Sequence, residues 1–252
     1  MFGTAIEIYR ATRKKHDLVF NVYFMRPIAA LVVAIFAKTG ITPNQVTILN
    51  LVIFVIAAIL FVALPSFQGG LVAVLVLEAS YCLDCVDGML ARHKKIASKE
   101  GHLFDFFTDE IKAVLLASAL PIRFWRSGGL GLDGQHWPAG HPGFLLAGIA
   151  GAFVLASATS LTNFVRRPEL SGKATTVEAH YETHQEEKPR SIVGKIAGLV
   201  TTLLRFLNHY PSHIWIFALL GRLDALFWIY VAINLLYLGR GWLGIVLRFG
   251  RG

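Results

Sequence analysis

Long apolar segments separated by short polar ones make up most of the chain after residue 41. The stretch Thr42-Pro43-Asn44-Gln45 combines a capping threonine, a proline at the first helical position and a glutamine three residues after the cap, which predicts a helix start. Apolar runs near 20 residues are long enough to cross a bilayer as helices. The pattern therefore predicts six membrane-spanning helices, at residues 42–64, 71–92, 101–122, 143–163, 191–221 and 223–237.

The residues before position 42 follow a different pattern. Phe2, Ile6 and Tyr9 recur at helical spacing and precede a basic cluster at residues 10–15, which is typical of an amphipathic helix on a membrane surface. The apolar segment 27–37 is too short to span a bilayer, so we expect an interfacial or partly inserted helix there. Residues 1–41 are accordingly predicted to form an interfacial segment in front of the first span.

Three polar or interrupted stretches complete the layout. Residues 123–142 are rich in Gly, Pro and Trp and are predicted to form an extramembrane loop. Residues 168–190 are polar and cannot build a second core, so they are interpreted as a cytosolic linker within a single domain, 1–252. The fifth segment is interrupted by charges and by Pro211, and is either a kinked span or a surface helix leading into a shorter one. The sixth could extend towards Leu247.

Composition agrees with a polytopic membrane protein, since 55% of the 252 residues are hydrophobic and only 16% are charged. The net charge of +8 could indicate nucleic acid, but the basic residues lie between apolar segments, where anionic lipid is the better partner. Nineteen Lys and Arg residues lie on one predicted side and three on the other. The positive-inside rule then places both termini, and the facing ends of the second and third spans, in the cytoplasm.

Four carboxylates recur at fixed spacings where the second span ends and the third begins. Asp84 and Asp87 lie three residues apart, and Asp105 and Asp109 lie four apart, so on helices each pair shares one face. Carboxylates beside apolar segments are costly unless they are paired or bind metal, and they indicate a functional site. Four of them facing one another predict a divalent-cation site. Cys82 and Cys85, on the same apolar segment, are interpreted as packing residues.

Small residues accompany the carboxylates. Gly88 and Ala91 lie four and seven residues after Asp84, and Gly101 lies four before Asp105. These rows leave room for a large phosphate-bearing ligand close to the backbone. Arg92, at the end of the same segment, supplies a fixed positive donor for phosphate.

The pattern Asp84-x2-Asp87-Gly88-x2-Ala91-Arg92-x8-Gly101-x3-Asp105-x3-Asp109 resembles the signature of the CDP-alcohol phosphotransferase (CDP-alcohol phosphatidyltransferase) family at all eight fixed positions. The resemblance implies an all-α integral membrane protein with six transmembrane helices, usually a homodimer. It also implies two Mg²⁺ or Mn²⁺ ions in a cavity open to the cytoplasm. The implied reaction is displacement of CMP from a CDP-linked donor by an alcohol, in phospholipid biosynthesis.

The resemblance also implies roles for individual residues. Asp84, Asp87 and Asp105 would be metal ligands, and Asp109 would ligate metal and act as general base on the acceptor hydroxyl. The CDP site would be lined by Gly88, Ala91, Arg92 and Gly101. Relatives have a similar Thr-Pro-Asn near the nucleotide, which makes Asn44 a further candidate, although helix capping alone explains that stretch.

Residues for the acceptor are less constrained. Glu78 lies off the Asp84 face and is predicted either to form a buried pair with Lys112 or to contact a polar substrate. Lys112 follows Asp109 by three residues and is expected to tune or neutralise that carboxylate. Arg166 and Arg167 fall where relatives that use phosphorylated acceptors carry arginine, although paired arginines after a span are also ordinary lipid anchors.

Two alternatives stay open. The protein could transfer a phosphoalcohol from a soluble CDP-alcohol to a lipid, although the arginine pair favours CDP-diacylglycerol as donor. A divalent-cation transporter would also place aspartates in the membrane, but it needs neither the Gly88 and Gly101 clearance nor Arg92, which would repel the ion. A purely structural membrane protein would not retain four uncompensated carboxylates.

Overall fold

The computed structural model describes residues 2–13, 17–165, 198 and 202–249, and this part of the chain is nearly all helical. A π-helical turn, Asn21–Met25, precedes the second helix, and a 3-10 helix, Tyr210–Ser212, precedes the seventh. The labelled helices are α1 (Phe2–Thr12), α2 (Arg26–Phe36), α3 (Pro43–Ala63), α4 (Phe67–His93), α5 (Lys99–Ser127), α6 (Gly143–Val165), α7 (Ile214–Leu219) and α8 (Leu223–Phe249). Residues 202–208 are also helical.

Side-chain caps mark the starts of the three helices that build the site. Thr42 Oγ1 accepts the Gln45 amide at 3.3 Å and the Gln45 side chain returns to the Thr42 amide at 2.9 Å, which confirms the predicted capping box. Ser66 caps α4 and Ser98 caps α5, each accepting the amide of the glycine three residues later. These caps satisfy orphan amides and so fix where α3, α4 and α5 begin.

The helices pack as one bundle around α4 and α5. Helix α3 lies against both of them, α6 lies against α5 and α8, and α2 and α7 pack on α4. One core joins α3, α4, α5 and α8, and includes Phe61, Leu120 and Phe227. A second core, including Val33, Met89 and Leu90, joins the N-terminal helices to the last turns of α4. The carboxylates therefore lie between two packed regions.

Four of the described helices, α3, α4, α6 and α8, are long and apolar enough to cross a membrane. Their outward side chains are large and apolar, as at Leu75, Ile149 and Phe153. Helix α5 has 29 residues, which is ample length for a span, but its first half carries the site carboxylates. The predicted count of six spans therefore stays a prediction.

The N-terminal segment is helical, but the predicted apolar face is not the buried one. Ala5, Ile8 and Thr12 are buried against α2 and α4, whereas Ile6 is 52% exposed. Helix α2 has eleven residues, as the short apolar segment predicted. Helix α1 packs on other helices through Ala5 and Ile8, and this packing does not show whether α1 lies at a membrane surface. Its interfacial position stays a prediction.

The fifth and sixth predicted spans end differently from each other. Within the described residues, the fifth segment breaks at His209 between a helix at 202–208 and the 3-10 helix, which contains Pro211. The sixth continues through Arg240 to Phe249 as a single helix of 27 residues. The predicted extension towards Leu247 is therefore correct, and the shorter end at residue 237 is not. The predicted linker, 168–190, lies outside the described residues.

The loop predicted at 123–142 begins later in the structure than the sequence indicated. Helix α5 continues through Pro121 as far as Ser127, so Arg123 is a buried helical residue. The rest of the segment contains a two-stranded antiparallel sheet, β1 (Gly129–Leu130) and β2 (His136–Trp137). Composition predicted the turns correctly, but the tertiary partners of Arg123 extend the helix.

Candidate metal and nucleotide site

Helices α4 and α5 bring three of the four predicted carboxylates together. One oxygen from each of Asp84, Asp105 and Asp109 lies within 4.8 Å of the other two. The Asp84 side chain is 19% exposed and the Asp109 side chain 50%, so the cluster opens towards solvent on the Asp109 side. Both aspartates of the α5 pair therefore meet Asp84 of α4, whereas Asp87 is not part of this cluster.

A lysine lies at the centre of this cluster. Lys112 Nζ lies 2.6 Å from Asp84 Oδ1 and 2.6 Å from Asp109 Oδ1, and its side chain is 5% exposed. One ammonium cannot balance three carboxylates, and the remaining negative charge favours a cation. The ion pair with Asp109 agrees with the expectation that Lys112 tunes or neutralises that carboxylate, and Asp84 is a second partner.

Asp87, the fourth carboxylate, is more deeply placed. It is 4% exposed, and its Oδ2 accepts a 2.7 Å hydrogen bond from Thr47 on α3. Its neighbour Asp84 accepts a 2.9 Å hydrogen bond from Asn50 Nδ2, one turn further along α3. Ser80 in turn donates to the Asn50 carbonyl and amide oxygens, which fixes the direction of the Asn50 amide. Helix α3 therefore orients both aspartates of α4.

Sequence reasoning missed Thr47 and Asn50. A signal was present, because Asn44, Thr47 and Asn50 recur every three residues in a mostly apolar helix and so share one face. The structure also places Asn44 beside Gly101, where an added methyl group would lie 3.3 Å from Asn44 Oδ1. Two residues proposed to line the CDP site thus meet at the starts of α3 and α5.

The other predicted nucleotide residues lie on the last two turns of α4. A methyl group added at Gly88 would lie 3.3 Å from Nη1 of Arg92, so the guanidinium folds back over this glycine. Arg92 Nε is buried and has no hydrogen-bond partner among the described residues. A phosphate oxygen could supply that partner. Ala91, next to Arg92, is half-buried.

Glu78 does not form the predicted pair with Lys112. The lysine is held by Asp84 and Asp109, and both carboxylate oxygens of Glu78 are buried without a hydrogen-bond partner among the described residues. Lys112 is on the α5 face that meets the aspartates, and the Glu78 side chain leaves α4 on another side. Arg166 and Arg167 lie outside the described residues, so their role stays a prediction.

The donor set suits a hard divalent cation. Three carboxylates converge within one ligand sphere, and oxygen ligands of this kind are those that Mg²⁺ and Mn²⁺ prefer. The excess of negative charge over Lys112 supports the same interpretation. The residues present therefore fit a divalent metal site.

Comparison with known families agrees with this geometry. The model of the family described as CDP-alcohol phosphatidyltransferase matches residues 40–247. The chain belongs to this family. A search of curated proteins returns no match.

Family membership identifies a membrane-embedded transferase of phospholipid synthesis. The matched range contains α3 to α7, α8 except its last two residues, and all four aspartates. Helices α1 and α2 precede it, yet they form one of the two cores with α4. The family fold therefore contacts an N-terminal segment that lies outside the match.

Proposed function

We propose that the protein displaces CMP from a CDP-linked donor, CDP-diacylglycerol in the first instance, by the hydroxyl of an alcohol. The observation that carries this proposal is the convergence of Asp84, Asp105 and Asp109 within 4.8 Å in a chain of this family. The alternative direction, transfer from a soluble CDP-alcohol to a lipid, uses the same cluster and is separated by assay.

Asp84, Asp105 and Asp109, together with Asp87, would hold two Mg²⁺ or Mn²⁺ ions. Ions bound there would offset the charge of the donor diphosphate and of the departing CMP. The chain itself orients these carboxylates, through Asn50 on Asp84 and Thr47 on Asp87. A fixed ligand set requires little reorganisation during the reaction.

Asp109 is proposed as the general base because it is the most exposed of the three clustered carboxylates. The acceptor oxygen attacks the donor phosphorus, a new P–O bond forms, and the bond to the CMP oxygen breaks with its electron pair leaving on CMP. The hydroxyl proton passes to Asp109. A carboxylate is a weak base for an alcohol, so this transfer occurs late, when the oxygen has become acidic.

The CDP moiety is proposed to lie along Gly88, Ala91 and Arg92 of α4 and to reach Gly101 and Asn44. The buried, unpartnered Nε of Arg92 supports a phosphate contact there. The closeness of Asn44 to Gly101 supports one continuous surface across the starts of α3 and α5. The positive-inside pattern supports a cytoplasmic opening for this site. A homodimer is proposed on the family resemblance alone.

Arg166 and Arg167 are proposed to recognise an anionic group of the acceptor, because guanidinium forks suit phosphate better than a neutral polyol. Replacing either arginine by alanine is then expected to raise the acceptor KM about tenfold and to leave the donor KM nearly unchanged, as for the loss of one charged hydrogen bond. Steady-state kinetics with each substrate varied measures this. If both constants stay unchanged and only expression falls, the arginines are lipid anchors.

The assay of function is CMP release by purified protein with Mg²⁺ or Mn²⁺. One arm combines CDP-diacylglycerol with glycerol phosphate, inositol, inositol phosphate or serine, and the other combines CDP-choline or CDP-ethanolamine with diacylglycerol. Release in the first arm that stops with EDTA supports the proposal, and release only in the second arm reverses the roles of lipid and alcohol. Release that persists with excess EDTA contradicts the metal site.

A further inference from the structure

Lys94 is a cationic side chain at the nucleotide end of α4 that the proposed mechanism leaves unused. It is the C-terminal cap residue of α4 and lies two positions after Arg92. Its Nζ donates to the carbonyl oxygens of Thr39 at 3.0 Å and Ile41 at 2.9 Å. These acceptors lie 55 and 53 residues earlier in the chain, in the linker between α2 and α3. One ammonium therefore holds this linker against the end of α4.

The linker between α2 and α3 has little slack. It runs from the end of α2 at Phe36 to the cap of α3 at Thr42. Within it, Thr39 Oγ1 donates to the Phe36 carbonyl at 2.8 Å and accepts the Ile41 amide at 3.2 Å. The Ile41 carbonyl, which Lys94 holds, directly precedes the Thr42 capping box. A displacement of this carbonyl would therefore displace the first turn of α3.

The first turn of α3 depends on such contacts because few of its side chains are buried. Thr42, Asn44 and Gln45 are exposed, and the first buried residue of α3 is Val46. A helix end with little buried surface is held by its cap and by the chain in front of it rather than by the core. Asn44 belongs to this turn and is one of the residues that we place at the nucleotide.

The backbone at the end of α4 gives the Lys94 side chain a fixed origin. The Lys95 amide donates to the Arg92 carbonyl at 3.2 Å. The Ile96 amide donates to the Ala91 carbonyl at 3.0 Å, and Lys95 has a positive φ of 57°. This combination is a common way to end a helix. It closes α4 directly after two residues proposed to line the CDP site, so Lys94 extends from a hydrogen-bonded turn beside that site.

The first turn of α3 also faces the start of α5. A methyl group added at Gly101 would lie 3.3 Å from Asn44 Oδ1. We propose that Lys94 is a positioning residue for the CDP-linked donor, because it holds the α2–α3 linker where Asn44 is set against Gly101. The inference rests on one part of the proposed function, the placement of CDP along Arg92, Gly101 and Asn44.

A positive charge in this loop would also attract a diphosphate directly, and the chain offers variants that separate the two roles. Lys95 is exposed and carries the same charge one residue further along. Lys95→Met removes that charge and leaves both contacts of Lys94 with the linker in place. Lys94→Met removes the charge and the contacts, whereas Lys94→Arg keeps a cation with enough donors for both carbonyls.

The test measures the dissociation constant of CDP by calorimetry, with full-length protein in detergent and Mn²⁺. Lys94→Met is expected to weaken CDP binding about fivefold or more, because a misplaced contact loses binding free energy. Lys94→Arg is expected to recover most of the affinity. Lys95→Met is expected to stay within about twofold of wild type, since an exposed charge is screened. No effect of Lys94→Met, or an equal effect of Lys95→Met, overturns the proposal.

A double-mutant cycle then tests whether Lys94 acts through Asn44. Lys94→Met introduced into Asn44→Ala protein is expected to weaken CDP binding by less than about twofold further. Equal effects of Lys94→Met in both backgrounds contradict the positioning role, and so does an Asn44→Ala variant with unchanged CDP affinity. A melting temperature is measured for each variant, and Lys94→Gln replaces Lys94→Met in the cycle if the latter does not fold.

Failure of this inference can be told apart from failure of the proposed function. Wild-type protein that binds CDP but releases no CMP with any alcohol contradicts the reaction, while the binding cycle still decides the role of Lys94. Wild-type protein that releases CMP, with Lys94 variants that bind CDP normally, contradicts only the positioning role. Wild-type protein that does not bind CDP contradicts both.

Discussion

Buried charged side chains have different kinds of partner at the two ends of the bundle. At the end away from the aspartates, Arg123 is only 6% exposed and donates to the carbonyl oxygens of Leu64 and Ser66 at 2.7 and 2.6 Å. These carbonyls belong to the turn between α3 and α4, so the guanidinium fixes that turn. The buried guanidinium is therefore satisfied by backbone carbonyl oxygens, whose positions are fixed by the turn.

Asp224, at the start of α8, is held in the same manner. Its carboxylate accepts the amides of Leu130 and Ala225, each at 2.7 Å, and lies 3.1 Å from Arg222 Nε. Acidic groups at a helix start are also favoured by the helix dipole. At this end the partners of each buried charge are mostly backbone groups, which indicates a structural role.

At the other end, charges face charges. Asp84 and Asp109 share Lys112, and the side chains of Asn50 and Thr47 donate hydrogen bonds to Asp84 and Asp87. The comparison teaches that the balance of partners, rather than burial, distinguishes a structural charge from a ligand-binding one. Four predictions test this distinction, from the largest expected effect to the smallest.

Removing one carboxylate from the cluster is expected to abolish activity. Asp84→Asn and Asp105→Asn each replace an anionic ligand by a neutral one, which should weaken metal binding by orders of magnitude and reduce turnover to near zero even at saturating Mg²⁺ or Mn²⁺. CMP release measures turnover, and size-exclusion chromatography in detergent checks folding. A folded variant with more than roughly a tenth of the wild-type rate contradicts the metal site.

Asp109→Asn is expected to lower turnover by about a hundredfold or more, with a much smaller effect on binding of the CDP donor. A general base acts in the transition state, so its loss lowers kcat rather than ground-state affinity. Donor titration and single-turnover kinetics measure the two quantities separately. Donor affinity that falls in step with turnover would make Asp109 an ordinary ligand.

At the opposite end, Arg123→Met is expected to destabilise the fold by about 2–4 kcal/mol, because it leaves buried carbonyl acceptors without donors. Thermal unfolding in detergent measures the loss. The matched control is Arg126→Met, since the exposed Arg126 donates to the Val62 carbonyl, where water can replace it. If the Arg123 variant instead changes the stabilisation by Mg²⁺ and leaves Tm unchanged, the two ends do not differ as described.

The smallest expected effect concerns Lys112. Lys112→Met removes the one cation between Asp84 and Asp109, so the ion-free protein should lose about 1–3 kcal/mol, and divalent ions should restore more stability than they add to the wild type. Melting curves with EDTA and with Mn²⁺ give both shifts. An equal Mn²⁺ shift in variant and wild type would show that the lysine and the ion do not share the carboxylates.

Much of the site could be predicted from the sequence because its residues are local. The spacings of Asp84, Asp105 and Asp109 along two helices determine which side chains share a face, and helix geometry alone carries that information. The small residues Gly88 and Gly101 are part of the same local pattern. The long apolar spans and the Thr42 capping box were predicted for the same reason, since each depends on neighbours within one or two turns.

Contacts between distant segments were not accessible in this way. The predicted partner of Lys112 was partly wrong because i,i+3 spacing identifies Asp109 but cannot choose between Asp84 and Glu78 on another helix. Thr47 and Asn50 were missed because a polar residue in a span has many candidate partners. The third span was predicted to end at residue 122, before the end of α5 at Ser127, for the same reason. Arg123 contacts a turn about 60 residues away in sequence, and local pattern does not reveal such a contact.

By itself, the sequence determined the membrane-spanning character, the spacing of the carboxylates on two helices and the family resemblance. Periodicity and hydrophobicity are properties of neighbouring residues and need no fold. Only the tertiary structure decided that α3 orients Asp84 and Asp87, that Lys112 joins Asp84 to Asp109, and that Glu78 has no partner among the described residues. These facts depend on how helices pack, because packing alone decides which faces of separate segments meet and which buried charges are left for a ligand.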